Sequence, residues 1–142
     1  IINRIESPSV ELLPSSRNTN TRKVISDESA GQLRVMMRRV IEGELGTGGR
    51  ARIAGFEVAG KSGTGQKAIP GRGYVDGLYY SLFSGFFPAS NPQYVMTVVF
   101  DEVKYRDGSN GWYFGGTVSA PVFKEIAEAI IVNQQMKPVV EN

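Results

Sequence analysis

Cysteine and histidine are both missing from the 142 residues of this chain. Without cysteine there is no disulfide framework and no thiolate zinc site. Without histidine there is no Ser-His-Asp or Cys-His arrangement within these residues, and no imidazole to hold a metal. Long apolar runs are missing too. None approaches the roughly 20 residues that a spanning helix needs, and no leader pattern stands at the start. Charge is nearly balanced, with 16 Lys+Arg against 14 Asp+Glu. Arg34, Arg38, Arg39, Arg50 and Arg52 make a mild basic cluster. It has no aromatic interleaving and no recognisable recognition module, so nucleic acid is not an expected partner. A solvated helix face plus a loop is the expected use of these arginines. What is present is ordinary for a globular chain, with 41% hydrophobic residues. The length allows one domain or part of one. Ile1 to Ile5 read as though cut from a longer strand, so part of a domain is expected.

Residues 1–25 are irregular, with Pro8, Pro14 and the polar run Ser15 to Thr21 marking a loop. Ser26-Asp27-Glu28-Ser29 is a helix start. Ala30, Leu33, Met37, Val40 and Ile41 then fall on one helical face, which predicts a helix over 26–43. Arg34, Arg38 and Arg39 lie largely opposite that face, and Met36 and Met37 are expected as core filler. Gly43 and Gly46-Thr47-Gly48-Gly49 end the helix. Strands are expected over 56–62, 78–87 and 94–100. The third is almost continuously apolar, which suggests burial on both faces. Turn signals stand at Gly71-Arg72-Gly73, at Asp76-Gly77 and over 107–111. A final helix is predicted over 118–132, with Pro121 in its first turn. Val122, Phe123, Ile126, Ala127, Ile130 and Ile131 are its expected buried face. Three strands on short connections imply an antiparallel meander within 56–101. The fold class is therefore α+β, an antiparallel sheet covered by helices.

The run Val58-Ala59-Gly60-Lys61-Ser62-Gly63-Thr64-Gly65-Gln66-Lys67 concentrates a lysine, two hydroxyls and three glycines in a few residues. Such a run suits an anion, and two enzyme classes use nearly these letters. Gly55 to Ser62 matches the phosphate-loop pattern G-x-x-x-x-G-K-[ST], and Val95 to Glu102 offers an apolar strand with an acidic end for magnesium. A phosphate loop must open directly into a helix. Here Gly63, Gly65, Pro70, Gly71 and Gly73 follow. Each interior glycine costs a helix roughly 1 kcal/mol and a proline about 3 kcal/mol. The alternative sets Lys61 to Thr64 on an exposed strand beside a cleft.

On that alternative the chain resembles the penicillin-binding proteins, in which a Lys-Thr/Ser-Gly element lines the active site. The Gly46-Thr47-Gly48 turn, Ser84 to Ala89, Asn91-Pro92, Phe100-Asp101-Glu102 and Tyr113 to Phe123 resemble the class B transpeptidases in order and spacing, over roughly 22–132. The resemblance implies the penicillin-binding transpeptidase/β-lactamase-like fold, with this chain as the C-terminal portion of one domain. It would supply the last three strands and the C-terminal helix. It implies a peptidoglycan D,D-transpeptidase working through a serine acyl-enzyme. Lys61 would bring positive charge to the nucleophile and the substrate carboxylate. Ser62 and Thr64 would bind that carboxylate, Gly63 would let substrate lie against the strand, and the Thr64 N–H would be an oxyanion donor. The implied partners are the remainder of the domain carrying the nucleophile, a peptidoglycan stem peptide, β-lactams and membrane-anchored cell-wall synthesis proteins. No cofactor or metal is implied, and the location would be the extracytoplasmic face of the bacterial cytoplasmic membrane. A non-catalytic sensor domain of the same fold is a further alternative.

The chain departs from the family pattern in what it omits. No serine is followed three residues later by lysine. Ser16-Arg17-Asn18 matches the family's Ser-x-Asn by letters only, too close to Lys61 for the usual layout. Lys67 has the wrong spacing from Ser62 to activate it, and Val103 stands where proline often follows the Asp-Glu pair. Asp101 and Glu102 are expected simply to end a strand. Gly115-Gly116 is expected to permit a tight turn, and Trp112 and Tyr113 to pack or sit in a loop.

Overall fold

The computed structural model describes residues 22–103 and 113–139. The loop expected before Arg22, the Ser16-Arg17-Asn18 letters, the turn at 107–111 and Trp112 lie outside them. Two compact units are distinguished, 1–30 and 31–142. In the first, the Ser29 N–H donates to Ser26 Oγ at 3.1 Å and the Ala30 N–H donates to the Ser26 carbonyl at 3.0 Å. The first bond meets a backbone donor that a helix start leaves unpaired, and the second is the first bond of the helix ladder itself.

The elements are helix α1 (Asp27–Glu42), strands β1 (Ala59–Ile69), β2 (Gly73–Phe87) and β3 (Tyr94–Asp101), and helix α2 (Ser119–Asn133). The strands form an antiparallel sheet in the order β1-β2-β3, the expected meander. Alternation along β2 sets its two faces. Ser81, Phe83, Gly85 and Phe87 are buried, while Leu82, Ser84 and Phe86 are only half-buried. Helix α2 covers the first set. Its buried residues Ser119, Ala120, Phe123, Ala127 and Ile131 recur at helical spacing. Phe123 meets Phe83 and Phe87 edge to face, with centroids 4.9 and 6.1 Å apart. Ile126 was expected on this face but is 41% exposed.

The one buried polar pair of the described residues is Ser81 and Ser119, whose hydroxyls meet at 2.9 Å. That bond ties mid-β2 to the first turn of α2. Ser81→Ala is expected to lower stability by about 1–3 kcal/mol, because the Ser119 hydroxyl stays buried without its partner. Adding Ser119→Ala should recover much of the loss. Urea unfolding midpoints check this, and strictly additive losses would refute the coupling.

Four expectations need correction. First, β3 is not buried on both faces. Tyr94, Met96 and Val98 pack toward the core, whereas Val95 and Val99 are 80% and 57% exposed. The continuous apolar run thus serves one covered face and one open one. Register places Leu82 opposite Val99, Ser84 opposite Thr97 and Phe86 opposite Val95, so the open face is an apolar strip. Second, β1 continues to Ile69, well past Ser62, and β2 begins at Gly73. The true turn is at 70–72. Asp76-Gly77 lies inside β2 at a break in register between Gln66 and Ala68, with Gly77 at φ 83°. Third, only Ile41 of α1 is fully buried, while Leu33 is 47% and Met36 61% exposed. Fourth, the arginines are solvated only in part: Arg39, Arg50 and Arg52 are exposed as expected, but Arg34 and Arg38 are half-buried and bonded. The Arg34 guanidinium donates to the Ser90 carbonyl at 3.0 Å, and Arg38 pairs with Glu57 at 2.7 Å. Arg52 donates to the Ile41 and Glu42 carbonyls, closing the end of α1. Hydrogen bonding from Ser90 holds the Glu57 carboxyl below the usual range against its partial burial, with Arg38 adding to the effect.

Candidate active site

Strand β1 is an edge of the sheet, so part of its backbone hydrogen-bonding capacity faces away from β2. Its glycines keep the edge low, and its hydroxyls alternate with them. Register pairs Ser62 with Phe83 and Thr64 with Ser81, so Ser62 and Thr64 share the α2 side of the sheet. Lys61 pairs with Ser84 and Gly63 with Leu82, which puts them on the open side. The structure therefore brings Ser62 and Thr64 together and sets Lys61 across the strand edge from them. The Lys61 ammonium folds back to donate to the Ser62 carbonyl at 2.7 Å.

A recess of about 430 Å³ runs along this edge, lined by Thr47, Lys61, Ser62, Gly63, Thr64 and the loop from Phe114 to Thr117. A larger recess, about 810 Å³, lies under Arg38, Arg52 and Lys124 and contains none of these residues. The Ser62 and Thr64 hydroxyls in the smaller recess are held by neighbours. Thr47 Oγ1 and Ser62 Oγ are 2.7 Å apart. The Gly115 N–H donates to Thr64 Oγ1 at 3.2 Å.

The Phe114–Thr117 loop does more than turn. It does lead into α2, with the Ser119 N–H on the Gly115 carbonyl at 3.0 Å. Yet it also lies directly on β1. A Cβ on Gly115 would overlap the Leu82 carbonyl and stand 2.5 Å from the Gly63 carbonyl oxygen. A Cβ on Gly116 would overlap the Thr47 carbonyl. Gly63 also has a packing reason beside the expected one. A Cβ there would stand 2.6 Å from Leu82 Cδ1, so the missing side chain makes room for Leu82 rather than only for a ligand.

The phosphate-loop alternative does not survive. Gly60, Lys61 and Ser62 are inside a strand that runs on for seven more residues, and no helix begins after Ser62. Asp101 and Glu102 do end β3, but they also grip Lys67 at 2.9 and 2.8 Å. Those bonds, Glu102 first, raise the Lys67 pKa above its ordinary value. With its ammonium bonded to both carboxylates, Lys67 is not placed to serve Ser62. Tyr113 stacks on Tyr79 with centroids 3.9 Å apart, which agrees with a packing role.

Thr47 and the Gly115 N–H were not singled out by sequence. Their partners are 15 and 51 residues away, and no local spacing reports such contacts. The nearest signal was the Gly-Thr-Gly turn itself.

Comparison with known proteins agrees with the fold. The family model described as the penicillin binding protein transpeptidase domain matches residues 1–128. A probable peptidoglycan D,D-transpeptidase PbpC of Pseudomonas aeruginosa is 44% identical over 82% of this chain, and the chain covers 20% of it. A probable peptidoglycan D,D-transpeptidase PenA of Neisseria flavescens is 40% identical over 82% of the chain, which covers 28% of that protein. The chain thus spans under a third of the length of these relatives. Among solved structures, the transpeptidase domain of Burkholderia pseudomallei penicillin-binding protein 3 superposes with a TM-score of 0.71 at 31% identity. The match covers 96% of this chain and 37% of that one. Penicillin-binding protein 3 of Mycobacterium tuberculosis, complexed with ampicillin, gives 0.72 at 27% identity, over 99% of this chain and 31% of that one.

Proposed function

The chain belongs to the penicillin-binding protein transpeptidase family, and from that membership we propose that it forms one wall of a peptidoglycan D,D-transpeptidase active site. The observation that carries this is the pair of hydroxyls, Ser62 and Thr64, aligned on an edge strand with Lys61 beside them. In this reading the two hydroxyls hold the terminal carboxylate of a D-Ala-D-Ala stem peptide or of a β-lactam. Lys61 supplies positive charge to the carboxylate and to the serine. The Thr64 N–H is one of two donors to the oxyanion of the acyl transfer. The serine itself comes from outside these 142 residues, since no Ser-x-x-Lys stands within them.

The open face of the sheet supports the same reading. Val95, Val99, Leu82 and Phe86 form an apolar strip with Lys61 at its border. An exposed strip of this kind marks a contact surface. The remainder of the transpeptidase domain, bearing the nucleophile, would lie there and face Lys61. The site would work on the extracytoplasmic side of the cytoplasmic membrane, beside membrane-anchored cell-wall synthesis proteins. No helix of the described residues is long and apolar enough to cross a membrane, so any anchor would lie elsewhere in the protein.

A fluorescent penicillin tests the proposal. The chain alone should yield no covalent adduct. The complete protein that carries it should be labelled, with the adduct mapping to a serine outside residues 1–142. Labelling of the isolated chain, or an adduct on Ser62, would overturn the assignment.

A further inference from the structure

We infer that Thr47 is a positioning residue that sets the direction of the Ser62 hydroxyl, so that Ser62 and Thr64 both present protons to one carboxylate. This rests on the reading of β1 as a carboxylate-binding strand. A hydroxyl carries one proton and two lone pairs. The Gly115 N–H can only donate, so Thr64 Oγ1 accepts from it and keeps its own proton for the recess. The Thr47–Ser62 bond of 2.7 Å is different, because either oxygen can donate. A carboxylate only accepts. If Ser62 donates to Thr47, it turns a lone pair toward the anion and the contact is repulsive. If Thr47 donates, the Ser62 proton is free and the relay Thr47 O–H to Ser62 O–H to carboxylate polarises in one direction. Thr47 thus does for Ser62 what the Gly115 N–H does for Thr64.

Thr47 is an exposed residue, but its backbone is pinned from two sides. The Gly46 N–H donates to the Gly43 carbonyl and the Gly48 N–H to the Val40 carbonyl, both at 2.9 Å, which fixes the turn after α1. Buried Gly48 leaves no room for a side chain, since a Cβ would stand 2.7 Å from Ile41 Cδ1. On the other side Gly116 lies against the Thr47 carbonyl with no space for a Cβ. The backbone that carries the donor is therefore held before any ligand arrives, and preorganisation is the condition under which such a contact is worth most.

The test compares benzylpenicillin with its uncharged methyl ester in the complete protein, as variant-to-wild-type ratios of the second-order acylation rate. Thr47→Val keeps the shape and removes the proton. It should slow acylation by the free acid about tenfold, the scale of one hydrogen bond in a charge-assisted chain, and leave the ester ratio near one. Thr47→Ser should restore the acid rate. In a Ser62→Ala background, Thr47→Val should add nothing. Equal slowing of acid and ester, failure of serine to restore, or additive losses with Ser62→Ala would overturn the inference. If Ser62→Ala slows the acid but Thr47→Val does not, the positioning role alone fails. If Ser62→Ala is itself silent, the carboxylate reading of β1 fails and Thr47's role goes with it.

Discussion

Lys61→Ala in the complete protein is expected to slow acylation by a penicillin on the order of 10²–10³-fold, the scale of losing one preorganised electrostatic contact to developing charge. The fold should be indifferent to the change. Lys61 is exposed, and the hydrogen bond drawn by its ammonium is to the carbonyl of the next residue. That bond can be exchanged for water at little cost, so unfolding midpoints should move by less than about 0.5 kcal/mol. Activity and stability are thereby separable at this position. No neighbour on β1 can stand in for the lost charge. Lys67 is six residues along and is held by Asp101 and Glu102. Lys61→Arg should recover only part of the rate, since a planar fork replaces a compact point charge. Stopped-flow acylation with a fluorescent penicillin reads all three proteins, and an unchanged rate for Lys61→Ala would remove Lys61 from the mechanism.

Lys61 also shows what a strand does that a sequence motif does not state. The letters Lys-Ser-Gly-Thr read as one cluster. Alternation sends Lys61 and Gly63 to one side and Ser62 and Thr64 to the other. The charge therefore borders the open apolar strip, while the hydroxyls face the loop before α2. In the proposed assembly the hydroxyls meet the carboxylate directly, while the lysine, across the strand edge, lends charge to it and to the incoming nucleophile.

Much of this was legible because it is periodic. The 3.6-residue pattern placed both helices to within one residue at each end, and the β-branched run placed β3. The errors share one physical origin, which is that solvent exposure is decided by tertiary neighbours. Val95 and Val99 look like core residues by type, but no element among the described residues covers their side of the sheet. Arg34 and Arg38 look solvated, yet Ser90 and Glu57 come from distant sequence to meet them. The far half of β1 was hidden because Gly63 and Gly65 read as breakers. In an edge ribbon they are tolerated, and the β2 partner from Tyr79 to Leu82 supplies the pairing. The two hydroxyls of the site were readable from the motif. Their holders were not, since Thr47 and Gly115 meet β1 only once the chain has folded.

Gly115→Ala is expected to be among the most damaging single methyls of the described residues. The added Cβ would overlap the Leu82 carbonyl and crowd the Gly63 carbonyl, and both obstacles are backbone. A strand pair cannot shift to admit it, so the Phe114–Thr117 loop must lift. Overpacking of that kind typically costs 1–3 kcal/mol or somewhat more. Lifting the loop also withdraws the Gly115 N–H from Thr64 Oγ1 and widens the recess, so acylation in the complete protein should fall by about 10²-fold, a scale on which small misplacements act. Two other glycines calibrate the result. At Gly63 the obstacle is the Leu82 side chain, which can rotate, so Gly63→Ala should be intermediate. At Gly65 nothing lies within 4 Å, so Gly65→Ala should be nearly neutral. Urea midpoints and acylation rates for the three variants should therefore fall in the order Gly65, Gly63, Gly115. Were Gly115→Ala to match Gly65→Ala in both, the loop would not be pressed on the strand, and the recess that holds Ser62 and Thr64 would have no fixed second wall.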